Sequence, residues 1–168
     1  LAVLALAAAP AWADVKLPPA ISSHMVLQRD KPIRVWGWAE PGEKVTVSFG
    51  EKSQSSTAAA DRSWKAELPA LPASSEPRTM VVQGKDKKIG LENILVGDIW
   101  LLGGQSNMEF EIYKTEGGPL EIVSANFSNI RLLSVPQQNG PEIKRSFPRQ
   151  YQWSSWFNQH FRQGYWDV

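Results

Sequence analysis

The residues best suited to chemistry lie in one short run, Leu101-Leu102-Gly103-Gly104-Gln105-Ser106-Asn107-Met108-Glu109-Phe110. A hydrophobic stretch stops at two glycines, and a serine follows between two amides. A nucleophilic serine needs exposure at a sheet edge, backbone N–H donors for an oxyanion, and a base that takes its proton. A strand-to-helix turn supplies the first two, because the first N–H groups of a helix are unpaired and point at whatever sits there. Gly103 and Gly104 let the backbone bend tightly and let a substrate approach. Gln105 and Asn107 offer further donors or orient the serine. The run departs from the G-x-S-x-G elbow of lipases, since position 104 is Gly but position 108 is Met. A plainer role also fits. Ser106-Asn107-Met108-Glu109 matches S-x-x-E, a capping box in which serine and glutamate satisfy orphan backbone donors. The two roles are compatible, because a helix N-terminus is where an oxyanion hole would be built.

The elements that must position this run follow from the hydrophobic pattern. Ile94 to Leu102 is almost continuously apolar, as in a buried central strand of a parallel sheet. Gly103-Gly104 ends it, and a second apolar run, Asn129 to Val135, follows about 25 residues later. Glu109 to Lys114 and Pro119 to Ala125 read as helix pieces between them. Strand, crossover, strand is the start of an α/β unit. Upstream, from Asp14 to about Asn93, the pattern is strands and turns. Ile33 to Trp38, Lys44 to Phe49, Ser53 to Ala59, Ser63 to Leu68, Thr79 to Gln83 and Lys88 to Leu91 are the strand candidates. Glu40 to Glu43 and Gly50 to Lys52 are turn signals, and Pro69, Pro72 and Pro77 with Ser74-Ser75 mark one loop. Short strands at this spacing predict a small β-sandwich over residues 14–93, with an α/β domain beginning at 94 and running to 168.

Composition narrows the functional classes. The chain has 168 residues and a net charge of +1, which gives no electrostatic case for nucleic acid or an anionic membrane surface. There is no cysteine, so disulfides, cysteine-based metal sites and a cysteine nucleophile are excluded within these residues. His24 and His160 are the two histidines, too few for a His-rich metal site. His24 reads as structural. Asp98 reads as a structural carboxylate of the kind found at a strand start, bonded to a nearby turn, and Glu109 as a cap partner of the Ser106 turn. Eight tryptophans serve either core packing or the stacking of sugar faces. Leu1 to Pro10 is apolar and is followed by Ala11-Trp12-Ala13. Residues 1–13 thus read as part of a secretory signal, too short to span a bilayer. That reading predicts export, periplasmic or extracellular, and a mature chain starting near Asp14.

Ile94-Leu95-Val96-Gly97-Asp98-Ile99-Trp100, followed by Gly104-Gln105-Ser106-Asn107-Met108-Glu109, resembles the start of the catalytic domain of the sialate O-acetylesterases, which are SGNH/GDSL-type hydrolases. His24 to Val47 resembles that family's N-terminal β-domain, and Asn129 to Gln137 its second strand region. The resemblance implies a mixed β and α/β chain: an N-terminal β-sandwich, then the beginning of a flavodoxin-like three-layer α/β hydrolase domain, truncated. It implies that Ser106 is the nucleophile, that its backbone N–H is part of the oxyanion hole, and that Gly104, Gln105 and Asn107 support it. An acetyl-enzyme forms on an acetylated sugar and water releases acetate, with no metal or organic cofactor. The family's base is a histidine in an Asp-x-x-His block near the end of the catalytic domain. Here Asp167 follows His160 rather than preceding it by three, so His160 is not assigned as that base. The resemblance therefore implies an N-terminal fragment with little or no activity alone. Two other readings remain open: a carbohydrate-binding module stacking sugars on Trp36, Trp38 and Trp64, or a structural β-domain beside a catalytic neighbour. Within the esterase class, an acetylated xylan or other plant glycan is an alternative substrate to sialic acid.

Overall fold

The structure is a computed structural model that describes residues 14–104, 110–135 and 153–156. In chain order the elements are β1 (Val26–Gln28), β2 (Ile33–Trp38), β3 (Lys44–Phe49), β4 (Lys52–Thr57), β5 (Ser63–Leu68), β6 (Ser74–Gln83) and β7 (Lys88–Gly97). A 3-10 turn (Ile112–Lys114), α1 (Gly118–Ser124), β8 (Phe127–Leu132) and β9 (Ser154–Trp156) follow. The described chain is thus mostly strand, with a mixed sheet and one short helix.

Period-two patterning decides which way each strand faces. On β2, Ile33 and Val35 are buried while Arg34 and Trp36 face out. On β3, Val45, Val47 and Phe49 are buried, and Thr46 and Ser48 lie toward the other side. The β3–β4 hairpin closes through Gly50-Glu51, with Phe49 opposite Lys52. Gly50 sits at φ 59, a conformation that glycine adopts without the Cβ penalty.

Five strands form one sheet in the order β1-β7-β6-β3-β4, and β2 pairs with β5 in a second. All pairings are antiparallel except β1 with β7. Val45, Val47, Phe49, Met80, Val82, Leu91, Ile94 and Val96 from the larger sheet meet Ile33, Val35, Trp64, Ala66 and Leu68 from the smaller in one core. Lys16 closes onto this core by bridging Trp38, with N–H···O distances of 2.8 and 2.9 Å. The bridge passes so close to Gly37 that a Cβ there would collide with the Lys16 carbonyl oxygen. The two edges of the larger sheet differ. β1 is three residues long. β4 is six residues, largely exposed, and its Ser55 and Ser53 hydroxyls bond Thr46 and Ser48 of β3 at 2.8 and 3.0 Å.

Three expectations are corrected. The segment read as a loop around Ser74, Ser75 and Pro77 belongs to β6. The partner of Ser74 is Val96 and that of Arg78 is Ile94, so β6 takes four steps where β7 takes two. That irregularity houses Pro77 where no ladder hydrogen bond is required of it.

The second correction concerns the break read at residues 93 and 94. Arg78 pairs with Ile94 and Met80 with Leu91, so β7 holds one extra residue there. The extra residue makes a β-bulge, with Asn93 at φ 55. The strand then continues to Gly97, with Ile94, Leu95 and Val96 at 0%, 4% and 3% exposure. The first half of the apolar run therefore completes the β core and does not open a new sheet. Ile99 to Leu102, expected as the rest of that strand, carry no strand structure and are exposed.

Third, β8 was expected as the next strand of a parallel sheet. Among the described residues it pairs antiparallel with β9.

The Asn93 bulge is also a fastening point. A guanidinium only donates, so Arg131 Nη2 on β8 fixes the Asn93 Oδ1 as acceptor, at 3.0 Å. The Asn93 amide then donates to His24 Nδ1 at 2.8 Å, which leaves the imidazole proton on Nε2. Trp153, just before β9, packs on the core and donates its indole N–H to Ala20 O at 2.9 Å. The β8–β9 pair is thus tied to the β core at two places.

Two outcomes are expected. In this chain, Ile94→Ala lowers the unfolding free energy by about 2–5 kcal/mol, the cost of emptying a closed core site. Ile99→Ala changes it by less than about 0.5 kcal/mol, as for an exposed residue; urea titration of both checks where the core ends. Asn93→Val forces a β-branched residue into left-handed backbone and removes two hydrogen bonds, for a loss of about 2–4 kcal/mol. Asn93→Gly keeps the conformation and loses only the bonds, about 1–2 kcal/mol. The reverse order in urea would mean that the bulge does not need its left-handed residue.

Candidate active site

β7 delivers the chain to the serine run, so its end is where a site would begin. Gln28 at the end of β1 lies opposite Gly97 at the end of β7. Because the two strands are parallel, both chains leave the sheet at the same edge. Arg29 N–H donates to Gly97 O at 2.8 Å, which extends the ladder by one residue. Gln28 Oε1 accepts the Ile99 N–H at 2.9 Å, and Arg29 Nε donates to Asp98 Oδ1 at 2.8 Å. The Asp98 carboxylate, first through this hydrogen bond and then through its charge, raises the Arg29 pKa further. Asp98 thus does bond to a nearby turn, but it stands just past the end of β7 rather than at a strand start.

Beyond Ile99 the chain is open. Trp100 is 83% exposed and Leu101 96%. Leu102, Gly103 and Gly104 are exposed as well. Of the expected site residues, Gly104 is placed by the structure, at the end of this segment. Gln105, Ser106 and Asn107 lie outside the described residues, as do Met108 and the cap partner Glu109. His160 and Asp167 also lie outside them.

The description resumes at Phe110. Glu111 pairs with Lys114 across the 3-10 turn, and the ammonium stands 5.3 Å from the Tyr113 ring centre. The hydrogen bond to Lys114, and next one from Tyr113, hold the Glu111 carboxyl below its usual range. The same bond to Glu111 raises Lys114. Gly118 then packs so tightly on the Ile112 carbonyl that no Cβ would fit, and Pro119 sits in the first turn of α1. The carboxylates flanking the serine run, Asp98 and Glu111, each hold a cation. Neither stands free as a general base. No group of three or more histidine, aspartate or glutamate side chains among the described residues is arranged to hold a metal.

The tryptophans divide. Trp64 is 3% exposed and belongs to the core, so it is unavailable for stacking a sugar. Trp36 is 41% exposed on β2. Trp38 lines a shallow cavity of about 210 Å³ with Asp14, Lys16, Glu40 and Arg62, well separated in sequence from Gly104. Sequence reasoning missed Gln28, Arg29, Asn93 and Arg131. The one available signal was Gln28-Arg29-Asp30, a polar group ending the apolar Met25-Val26-Leu27.

No protein-family model matches the chain. Curated sialate O-acetylesterases of Pongo abelii and Homo sapiens are each 28% identical over 172 residues, covering 92% of this chain and 33% of their own length. A solved carbohydrate acetylesterase from Xanthomonas citri superposes with a TM-score of 0.81 at 34% identity, over 86% of this chain and 33% of that one. The chain spans about one third of the length of these relatives. With similarity in both sequence and structure over most of its residues, it belongs to the sialate O-acetylesterase-like family.

Proposed function

We propose that the protein is a carbohydrate O-acetylesterase in which Ser106 is the nucleophile. The carrying observation is the match to the Xanthomonas citri carbohydrate acetylesterase, 34% identical over 86% of this chain. It coincides with a Gly103-Gly104-Gln105-Ser106-Asn107 run that follows the fastened exit of β7 in sequence. Sialic acid O-acetyl esters are the first substrate to test, because the curated relatives carry that name.

In this reading Ser106 Oγ attacks the acetyl carbonyl and a base takes its proton. The oxyanion is met by the Ser106 backbone N–H, with Gln105, Asn107 and the bare backbone at Gly104 shaping the approach. The sugar hydroxyl leaves with a proton, and an acetyl-serine remains. Water then attacks the ester and acetate departs, restoring the serine. Asp98 and Glu111 are committed to Arg29 and Lys114, so the base comes from elsewhere.

We place the base in the part of a longer polypeptide that corresponds to the remainder of the relatives. Two observations support a longer polypeptide. The chain spans a third of its relatives, and Trp100, Leu101, Leu102, Leu120, Val123 and Phe127, before and after the serine run in sequence, are exposed. Large apolar side chains exposed in such number are ordinarily covered by further protein. In this proposal residues 1–13 direct export, the two sheets form a β-sandwich that supports the catalytic domain, and the segment after Gly97 opens the flavodoxin-like α/β layers.

The test is acetate release from O-acetylated sialic acid and from acetylated xylan by the full-length polypeptide, beside its Ser106→Ala form. Turnover that falls by at least about 10³-fold in Ser106→Ala is expected, since the remaining donors alone give only residual catalysis. Unchanged turnover in Ser106→Ala would overturn the serine assignment. Release from xylan alone would move the substrate to plant glycans.

A further inference from the structure

The polar contacts at the end of β7 are poorly explained by stability. Arg29 and Asp98 are 46% and 51% exposed, and an exposed ion pair contributes only about 0–1 kcal/mol. Their geometry is nevertheless specific. Three bonds of 2.8–2.9 Å converge on Gly97, Asp98 and Ile99, the last residues before the chain loses regular structure. Two of them come from side chains, Gln28 and Arg29, that follow one another at the end of β1. The platform carrying them is itself fixed. β1 is held in register from Val26 to Gln28, and Asp30 N–H donates to Leu71 O at 2.9 Å. Past Ile99, Trp100 and Leu101 have almost no protein around them to set the direction of the chain.

We propose that Gln28 and Arg29 are positioning residues for the esterase reaction, setting the direction in which the chain leaves β7 toward Ser106. The inference rests on the assignment of Ser106 as nucleophile and goes beyond it by giving the β-domain a part in catalysis. Gln28 holds the main chain at Ile99 through its N–H, and Arg29 holds the Asp98 side chain. Together they fix two consecutive residues, which determines an outgoing direction where a single bond would leave a pivot. Displacement of a reacting group by about 1 Å costs on the order of 10²-fold in rate. A clamp of small energetic value is therefore able to carry a large kinetic effect.

The experiment uses the full-length polypeptide, four single variants (Arg29→Ala, Arg29→Lys, Asp98→Asn and Gln28→Ala), the Arg29→Ala, Asp98→Asn double variant, and Ser106→Ala as a control. The readouts are kcat and KM for acetate release, the rate at which a fluorophosphonate labels the serine, and Tm. Arg29→Ala is expected to lower kcat and labelling together by about tenfold or more, with KM within about twofold and Tm within about 2–4 °C. Asp98→Asn and Gln28→Ala should move the same quantities in the same direction. Arg29→Lys should recover part of the loss, and the Arg29→Ala, Asp98→Asn double variant should be no slower than the slower single one. Wild-type kcat and labelling in Arg29→Ala would overturn the proposal. So would a loss that tracks Tm alone and is not repeated by Asp98→Asn. Ser106→Ala is the control that separates the two ideas. If it retains turnover, the serine assignment fails and takes this inference with it. If it is inactive while the clamp variants behave as wild type, only the positioning role fails.

Discussion

The path by which the chain leaves the β core depends on one parallel pairing, Val26–Gln28 with Leu95–Gly97. β7 lies between β1 and β6, so Ile94, Leu95 and Val96 are buried from more than one side. That burial anchors the last strand of the core. It also fixes the edge at which the chain emerges. The residues read as the first strand of a catalytic domain are, in their first half, the last strand of the supporting one. The strand that completes the β core is also the one whose sequence runs on toward Ser106.

The strands Ile33–Trp38, Lys44–Phe49 and Ser63–Leu68 were legible because inward valine, isoleucine, phenylalanine and leucine alternate with outward polar residues. β6 and β7 were legible only in part, as Thr79 to Gln83 and Lys88 to Leu91, because each carries an irregularity. Glu92-Asn93 looks like the end of a strand, and a bulge carries the strand through it. Pro77 looks like a loop, and a register shift accommodates it. β1 was invisible for a different reason. Three partly buried residues have too little period to register, and their partner strand lies 69 residues away. The Gln28–Ile99 and Arg29–Asp98 contacts span 71 and 69 residues. No local pattern encodes such pairs; only the fold brings them together. The serine run stood out by its residue types, but glycine, serine and amides at that spacing fit a helix cap as well as a nucleophile, and residues 105–109 lie outside the described ones.

The separation of roles has an energetic logic. The core is apolar and closed, and no polar or charged residue among the described ones is buried in it. The fastenings outside it, at Asn93 and at Arg29, are polar and partly wet. They contribute less free energy than core packing but have direction, which packing lacks. Packing in the core and directional polar bonds outside it thus fall to different residues.

The sheet edges carry a consequence of their own. An unpaired strand is a template on which another chain can pair, and repeated pairing of that kind builds fibrils. β1 is too short to offer such a template for more than a residue or two. β4 is long enough, but its Lys52-Ser53-Gln54-Ser55-Ser56-Thr57 sequence gives an incoming strand no apolar surface to bury. Two of its hydroxyls are already engaged by β3. The polar edge and the short edge together guard the folded sheet against self-association, so crowding alone gives these molecules little to gain by joining strand to strand.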